Sequence, residues 1–322
     1  MRNEVLSIFT IFIFVASTTV ASAGKETQLT YGQRLTQHTS IYDNHVLWTE
    51  STANNVHAYD LNTGKQIEIV GNYVVGKINV YGNKVVWTGD DGDAVYMYDI
   101  STGNETKIAS EMRSPDIYEN YIVYTNNYYY GQDHQHDGIY LYDLNAHTET
   151  KIASVYSSPA IYDKIVVWTE DNNKNGSEIC KYDISTHQIG IITTASSPVS
   201  ELDIYGNVVV WIESGNVYIY DIDAHKMTQV TNSGNTSQPA IYDDRIVYTI
   251  GDPYSGGKKD IYMYEISTAK TKRITTSTRA FGPSVYGDKI VYADSRSDLN
   301  NGEVRGVYLY DLKPKTENLK KS

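Results

Sequence analysis

The chain has 322 residues, a net charge of −12, 30 tyrosines, four tryptophans and one cysteine. An acidic chain without a basic cluster argues against a nucleic-acid partner and against an anionic membrane surface. The lone cysteine, Cys180, excludes an internal disulfide; it fills a slot held by tyrosine in most other repeats and reads as a small buried hydrophobe.

In chain order, Met1 to Ala23 reads as a secretory signal. Arg2 supplies positive charge, Leu6 to Val15 the apolar run, and Ala21-Ser22-Ala23 a small-residue cleavage site. The run is short for a membrane-spanning helix, and an uncleaved anchor is the alternative reading. Cleavage near Gly24 leaves residues 24–322 as the folded part. That part is expected to be secreted or held at the cell surface, with no membrane insertion after cleavage.

From there one unit recurs. Its anchors are Tyr42, Tyr81, Tyr118, Tyr162, Tyr205, Tyr242 and Tyr286, spaced by 39, 37, 44, 43, 37 and 44 residues. Each copy carries four short segments of alternating polarity with turn residues between them, the pattern of an antiparallel meander. Repeats at this period suit one four-stranded blade each, so the fold class is all-β, a single seven-bladed propeller.

The first strand of each copy ends at its anchor. A pair such as Asp43-Asn44, Gly82-Asn83 or Glu119-Asn120 follows, tolerant of the positive φ that a two-residue hairpin requires. Six residues past every anchor stands a large aromatic: Trp48, Trp87, Tyr124, Trp168, Trp211, Tyr248 and Tyr292. A fixed slot for the largest side chain predicts a fixed hole between neighbouring sheets, hence core. The third strand reads Val/Ile-Tyr-x-Tyr-Asp, and ten residues after its second tyrosine position comes the fourth strand's aliphatic, from Ile69 to Ile274.

The seventh copy departs from this rule, with Lys320 at that position. Glu26-Thr-Gln-Leu29-Thr30 instead matches Glu105-Thr-Lys-Ile108-Ala and Glu149-Thr-Lys-Ile152-Ala. Glu26 to Thr30 is therefore expected to supply the outer strand of the last blade and close the ring, covering an edge that would otherwise be exposed.

These recurring segments, Ile-Tyr-Gly/Asp-x-Ile-Val-Trp followed by Ile-Tyr-x-Tyr-Asp-Leu-x-Thr-Gly, resemble the TolB-type propeller repeat. They look most similar to the tandem propeller repeats of secreted archaeal surface proteins. The resemblance spans essentially all of residues 24–322 and implies a propeller with protein-binding or scaffolding roles. It carries over no catalytic residue, because its motif positions are structural. TolB has an additional N-terminal domain for which the repeats leave no room, so a role in the Tol system is not implied.

Function is expected on the second-to-third-strand loops, whose lengths of 6, 6, 13, 9, 4, 11 and 13 residues vary while the other turns stay nearly constant. Tyr128, Tyr129 and Tyr130, with Tyr254 in the sixth loop, offer a stacking surface for a sugar or peptide. Asp133, His134, His136 and Asp137 beside them are metal-ligand types, although one loop rarely completes a coordination shell. Asp171, Asn173 and Asn175 before Gly176 match the first half of an oxygen-rich Ca²⁺ loop, but Tyr182 stands where the bidentate acid belongs. Asn104, Asn175 and Asn235 open glycosylation sequons in expected turns or loops.

No Gly-x-Ser-x-Gly, His-Glu-x-x-His or phosphate-binding loop is present. The expected role is binding of an extracellular protein or glycan without catalysis and without a required cofactor. The alternative is a metal-assisted polysaccharide lyase or hydrolase on the same rim. An enzyme would gather titratable residues from several blades at the channel mouth; a binding module would present an aromatic or acidic patch without perturbed groups.

Overall fold

The computed structural model describes residues 24–30, 35–50, 55–69, 75–89, 94–126, 137–172, 175–251, 257–298, 302–303 and 306–313. These form seven four-stranded antiparallel sheets, with a two-stranded ribbon of Ser297–Asp298 and Gly302–Glu303 beside the last. No helix occurs among the described residues. The innermost strands are Leu35–Tyr42, Val75–Tyr81, Met112–Tyr118, Ala160–Tyr162, Val199–Tyr205, Thr236–Tyr242 and Ala280–Tyr286. Each is followed outward by three more strands of its own blade.

Ring closure follows the register read from the sequence. Lys25–Gln28 pairs antiparallel with Gly306–Asp311, Glu26 facing Tyr310 and Gln28 facing Tyr308. The Leu29 amide continues the ladder with a 2.8 Å bond to the Val307 carbonyl. The seventh sheet is thus assembled from both ends of the propeller.

The aromatic slot is core in every blade. Trp48, Trp87, Tyr124, Trp168, Trp211, Tyr248 and Tyr292 are at most 1% exposed. Each sits opposite the residue paired with it on the third strand and stacks on that ring in most blades, as Trp87 does on Tyr96 at 5.9 Å. In blade 4 the partner is Cys180, which is buried as expected, with its thiol pushed up to about 12 by burial. The hairpin turns also behave as predicted: Asp43, Gly82, Glu119, Asp163, Gly206, Asp243 and Gly287 all have positive φ. One loop assignment is corrected. Asn104 is the first residue of the strand Asn104–Ser110, exposed where that strand leaves its turn.

Candidate functional site

The anchor tyrosines, read from the sequence only as register marks, meet on the axis. Each ends an inner strand at the same height, and closing seven blades brings their rings together. Adjacent ring centroids lie 4.4–4.8 Å apart all the way round, from Tyr42 through Tyr286 and back to Tyr42, tilted by 47–54°. Each phenol of the circle packs tilted against the two beside it. Burial raises the phenol of Tyr118 to about 12, with Tyr162 beside it adding to the shift. Burial likewise raises Tyr42, Tyr81, Tyr205 and Tyr286, and the ring of phenols narrows the channel at the turn face.

On the loop side of this ring lies a cavity of about 570 Å³. Its wall is built from one column of the repeat, four residues before each anchor: His38, Lys77, Ser114, Ser158, Glu201, Gln238 and Gly282. A bulge aims these side chains. Six of the inner strands skip register at this level, between Val75 and Ile78 in blade 2 and between Ser200 and Asp203 in blade 5, for example. Ser114, Glu201 and Gln238 take φ of 52–55° there, a conformation that non-glycine residues seldom adopt. Bulges re-aim a side chain at the cost of a ladder bond, and they recur beside binding and catalytic sites.

Asp116 and Asp203 stand two residues before their anchors and work as latches between blades. Asp116 accepts the amides of Ile117 and, across the blade boundary, Ile161 at 3.0 and 2.9 Å. Asp203 accepts those of Ile204 and Ile241 at 2.9 and 3.1 Å. In blade 2 the same position is Asn79, which donates to the Pro115 carbonyl at 2.9 Å. Burial outweighs these bonds and pushes Asp116 up to about 6, with Lys77 opposing the shift and Asp203 adding to it. Asp203 and Glu201 are raised for the same first reason, burial. One Glu201 oxygen also receives the Gln238 amide at 2.5 Å.

His38 and Lys77, on adjacent blades, complete the electrostatics. Burial and the nearby Lys77 charge bring His38 down to about 4, so its imidazole is neutral at physiological pH. No hydrogen bond or ion pair engages the His38 ring or the Lys77 ammonium among the described residues. The vestibule thus offers one uncommitted ammonium and one neutral imidazole on one wall, a carboxylate at Glu201 on another, and hydroxyls at Ser114 and Ser158. Tyr156, 58% exposed, stands at its edge.

The site residues chosen from the sequence fare differently. Tyr128, Tyr129, Tyr130, Tyr254, Asp133, His134, His136 and Asn173 lie outside the described residues. Asp137 precedes the strand Gly138–Asp143 and is partly buried. Asp171 ends its strand and lines the vestibule, whereas Asn175 is exposed on a bend. The residue that closes this hairpin is Asn172, whose side chain accepts the Gly176 amide at 3.0 Å. Among the described residues no three His, Cys, Asp or Glu side chains are grouped as metal ligands. Sequence reasoning missed His38, Lys77, Asp116, Glu201 and Asp203. The signal available was their fixed offset from the anchors.

No known family profile matches the chain, and no curated protein does. Solved structures do match. TolB from Acinetobacter baumannii is 16% identical over 86% of this chain and 79% of its own, with a TM-score of 0.51. The propeller domain of the trilobed protease from Pyrococcus furiosus is 12% identical, covering 94% of this chain and all of that one (100%), with a TM-score of 0.63. Oligogalacturonate lyase from Vibrio parahaemolyticus is 12% identical over 92% and 95%, with a TM-score of 0.58. The chain spans about half (51%) of the acylaminoacyl peptidases it also matches. At these identities the likeness is one of fold, a β-propeller. The P. furiosus domain is described as having an open velcro topology; here Lys25–Gln28 closes the ring.

Proposed function

We propose that this chain is an exported, non-enzymatic propeller that binds an extracellular protein or glycan at its variable-loop rim. The ligand reaches from the rim into the axial vestibule. The observation that carries this reading is the aimed column of Lys77, His38 and Glu201, held by bulges on three blades around one cavity. An ammonium, a neutral imidazole and a carboxylate facing one another among hydroxyls suit a ligand rich in hydroxyl and carboxylate groups. The rim loops with Tyr128–Tyr130 and Tyr254 would add stacking area, and Ca²⁺ is a candidate for ordering Asp171 and its loop. The test is a glycan- and protein-array screen of residues 24–322, with and without Ca²⁺, repeated with Lys77→Ala and Glu201→Gln. Loss of the wild-type hits in both variants, at unchanged melting temperature, supports the vestibule. Full retention moves the site elsewhere.

One observation favours the second reading, a metal-assisted polysaccharide lyase or hydrolase. Titratable groups from four blades, His38, Lys77, Asp116 and the pair Glu201 and Asp203, converge on the channel, and the imidazole and carboxyls among them have shifted affinities for protons. That is the arrangement expected of an enzyme. Matched structures of this fold include an oligogalacturonate lyase and an oligogalacturonate lyase in complex with manganese. Two of the carboxylates here, however, are spent on amides between blades. Incubation with neutral and acidic polysaccharides, with Ca²⁺ or Mn²⁺ added, decides: new reducing ends or unsaturated uronates would establish turnover.

A further inference from the structure

The seven outer strands are not equivalent. Six carry at least one lysine: Lys25, Lys65, Lys107, Lys151, Lys226, and the pair Lys270 and Lys272. Lysine on an edge strand is a common guard against pairing with another chain, because the charge cannot be buried between two sheets. The exception is blade 4. Its outer strand, Gln188–Ala195, reads Gln-Ile-Gly-Ile-Ile-Thr-Thr-Ala and holds no charge. At eight residues it is also the longest of the seven. Among the described residues it pairs only with Ser177–Asp183, and its outward backbone edge has no partner there.

Two of its side chains are exposed in a way that core packing does not explain. Ile189 and Ile191 are each 58% exposed, and they lie on one face, opposite Tyr182 and Cys180. Only Tyr156 and Met227 join them as exposed large hydrophobics among the described residues. Between them Gly190 leaves its side of the strand open, with nothing within 4 Å of a side chain built there.

We propose that this edge is the interface of a homodimer, in which the strand Gln188–Ala195 of two copies pairs antiparallel about a two-fold axis. The occupant is a second copy because the strand is self-complementary. An axis through Gly190 sets Ile189 of one copy against Ile191 of the other, and the reverse, giving two apolar cross-strand pairs on one face. A net charge of −12 opposes association of two copies, and among the seven outer strands only this one adds no charged side chain to the new sheet. The interface lies on the circumference, so both vestibule mouths stay free, and the inference goes beyond the proposed binding role.

The test is sedimentation velocity of residues 24–322 from about 1 to 500 µM, a range that covers the weak association expected of one strand pair. The wild type should shift from monomer to dimer across it, and the amides of residues 188–192 should gain exchange protection with concentration. Ile189→Lys/Ile191→Lys should weaken dimerisation at least tenfold with an unchanged melting temperature, both side chains being exposed. Gln188→Lys, exposed and within the paired segment, gives a second variant should the first fail to fold. A wild type that stays monomeric at the highest concentration overturns the proposal, as does dimerisation undiminished in a folded lysine variant. Retention of an extended foreign peptide by a monomeric wild type would also overturn it, assigning the edge to another partner.

Discussion

Tyr292 and Glu26 stand 266 residues apart and share a hydrogen bond, the phenol donating to the carboxylate. The same bond occurs inside blade 3, where Tyr124 donates to Glu149 at 2.5 Å. The first strand of the propeller thus repeats, in blade 7, the role that Thr148–Ala153 has in blade 3. Arg296 reinforces the closure with two further bonds to Glu26, at 2.7 and 2.5 Å. Deleting residues 24–31 should therefore lower the melting temperature by far more than deleting residues 315–322. The opposite ranking in thermal melts would refute closure by the N-terminal strand. Glu26 adds a pH signature. Hydrogen bonding to Arg296 lowers its proton affinity, so its contribution is present above the usual glutamate range and is lost as pH falls through the lowered value.

The aromatic slot gives a graded series. Trp87→Ala should cost about 3–5 kcal/mol, as large-to-small changes of buried aromatics do. Trp87→Phe should cost much less than Trp168→Phe, although both indoles are fully buried. The Trp168 N–H bonds the Glu170 carboxylate at 2.8 Å, whereas the buried Trp87 N–H has no partner. Removing an unsatisfied donor relieves a desolvation cost; removing a satisfied one strands its acceptor. Chemical denaturation of the two phenylalanine variants checks the ranking, and equal losses would show that indole volume alone matters.

The architecture was legible because a propeller writes its packing once per blade. The Trp48-to-Tyr292 slot repeats at constant spacing since every pair of adjacent sheets leaves the same hole. Glu26 and Leu29 could be placed because they copy Glu149 and Ile152. The vestibule was not legible in the same way. Its column runs from His38 through Gly282 with no shared residue type, so it looks like noise beside the anchors. Its side chains face the axis only because bulges put Ser114, Glu201 and Gln238 into left-handed conformations, which no local glycine announces. The tyrosine ring was hidden for another reason. Tyr42 and Tyr286 are neighbours only after the whole ring has closed.

Loop replacement tests the rim directly. Exchanging residues 127–137 for a turn copied from Glu213-Ser-Gly-Asn216 should leave the fold intact, since that turn joins the same two strands in blade 5. Binding to whatever the arrays identify should fall at least tenfold if Tyr128–Tyr130 belong to the site. Unchanged binding would place recognition on the vestibule wall or on the other loops.

The vestibule should also make stability depend on pH. Burial raises Asp116 from the ordinary aspartate value to about 6 in the folded protein. Between about pH 4 and 6 the folded state holds a proton there that the unfolded chain has released, so stability falls as pH rises through this window. Below the ordinary value both states are protonated and the penalty vanishes. Asp203, raised for the same reason, pulls in the same direction. Asp116→Asn removes the titration but keeps an oxygen for the Ile161 amide, as an amide side chain at Asn79 already occupies this position in blade 2. The difference in unfolding free energy, variant minus wild type, should therefore rise by about 1–3 kcal/mol between pH 4 and pH 7. Urea denaturation at half-unit steps of pH measures it. Because Glu26 and the other carboxylates are common to both proteins, their opposing slopes cancel in the difference. A flat difference would mean that the carboxylate of Asp116 is ionised at low pH, stabilised by Lys77 and the two amides more than burial penalises it.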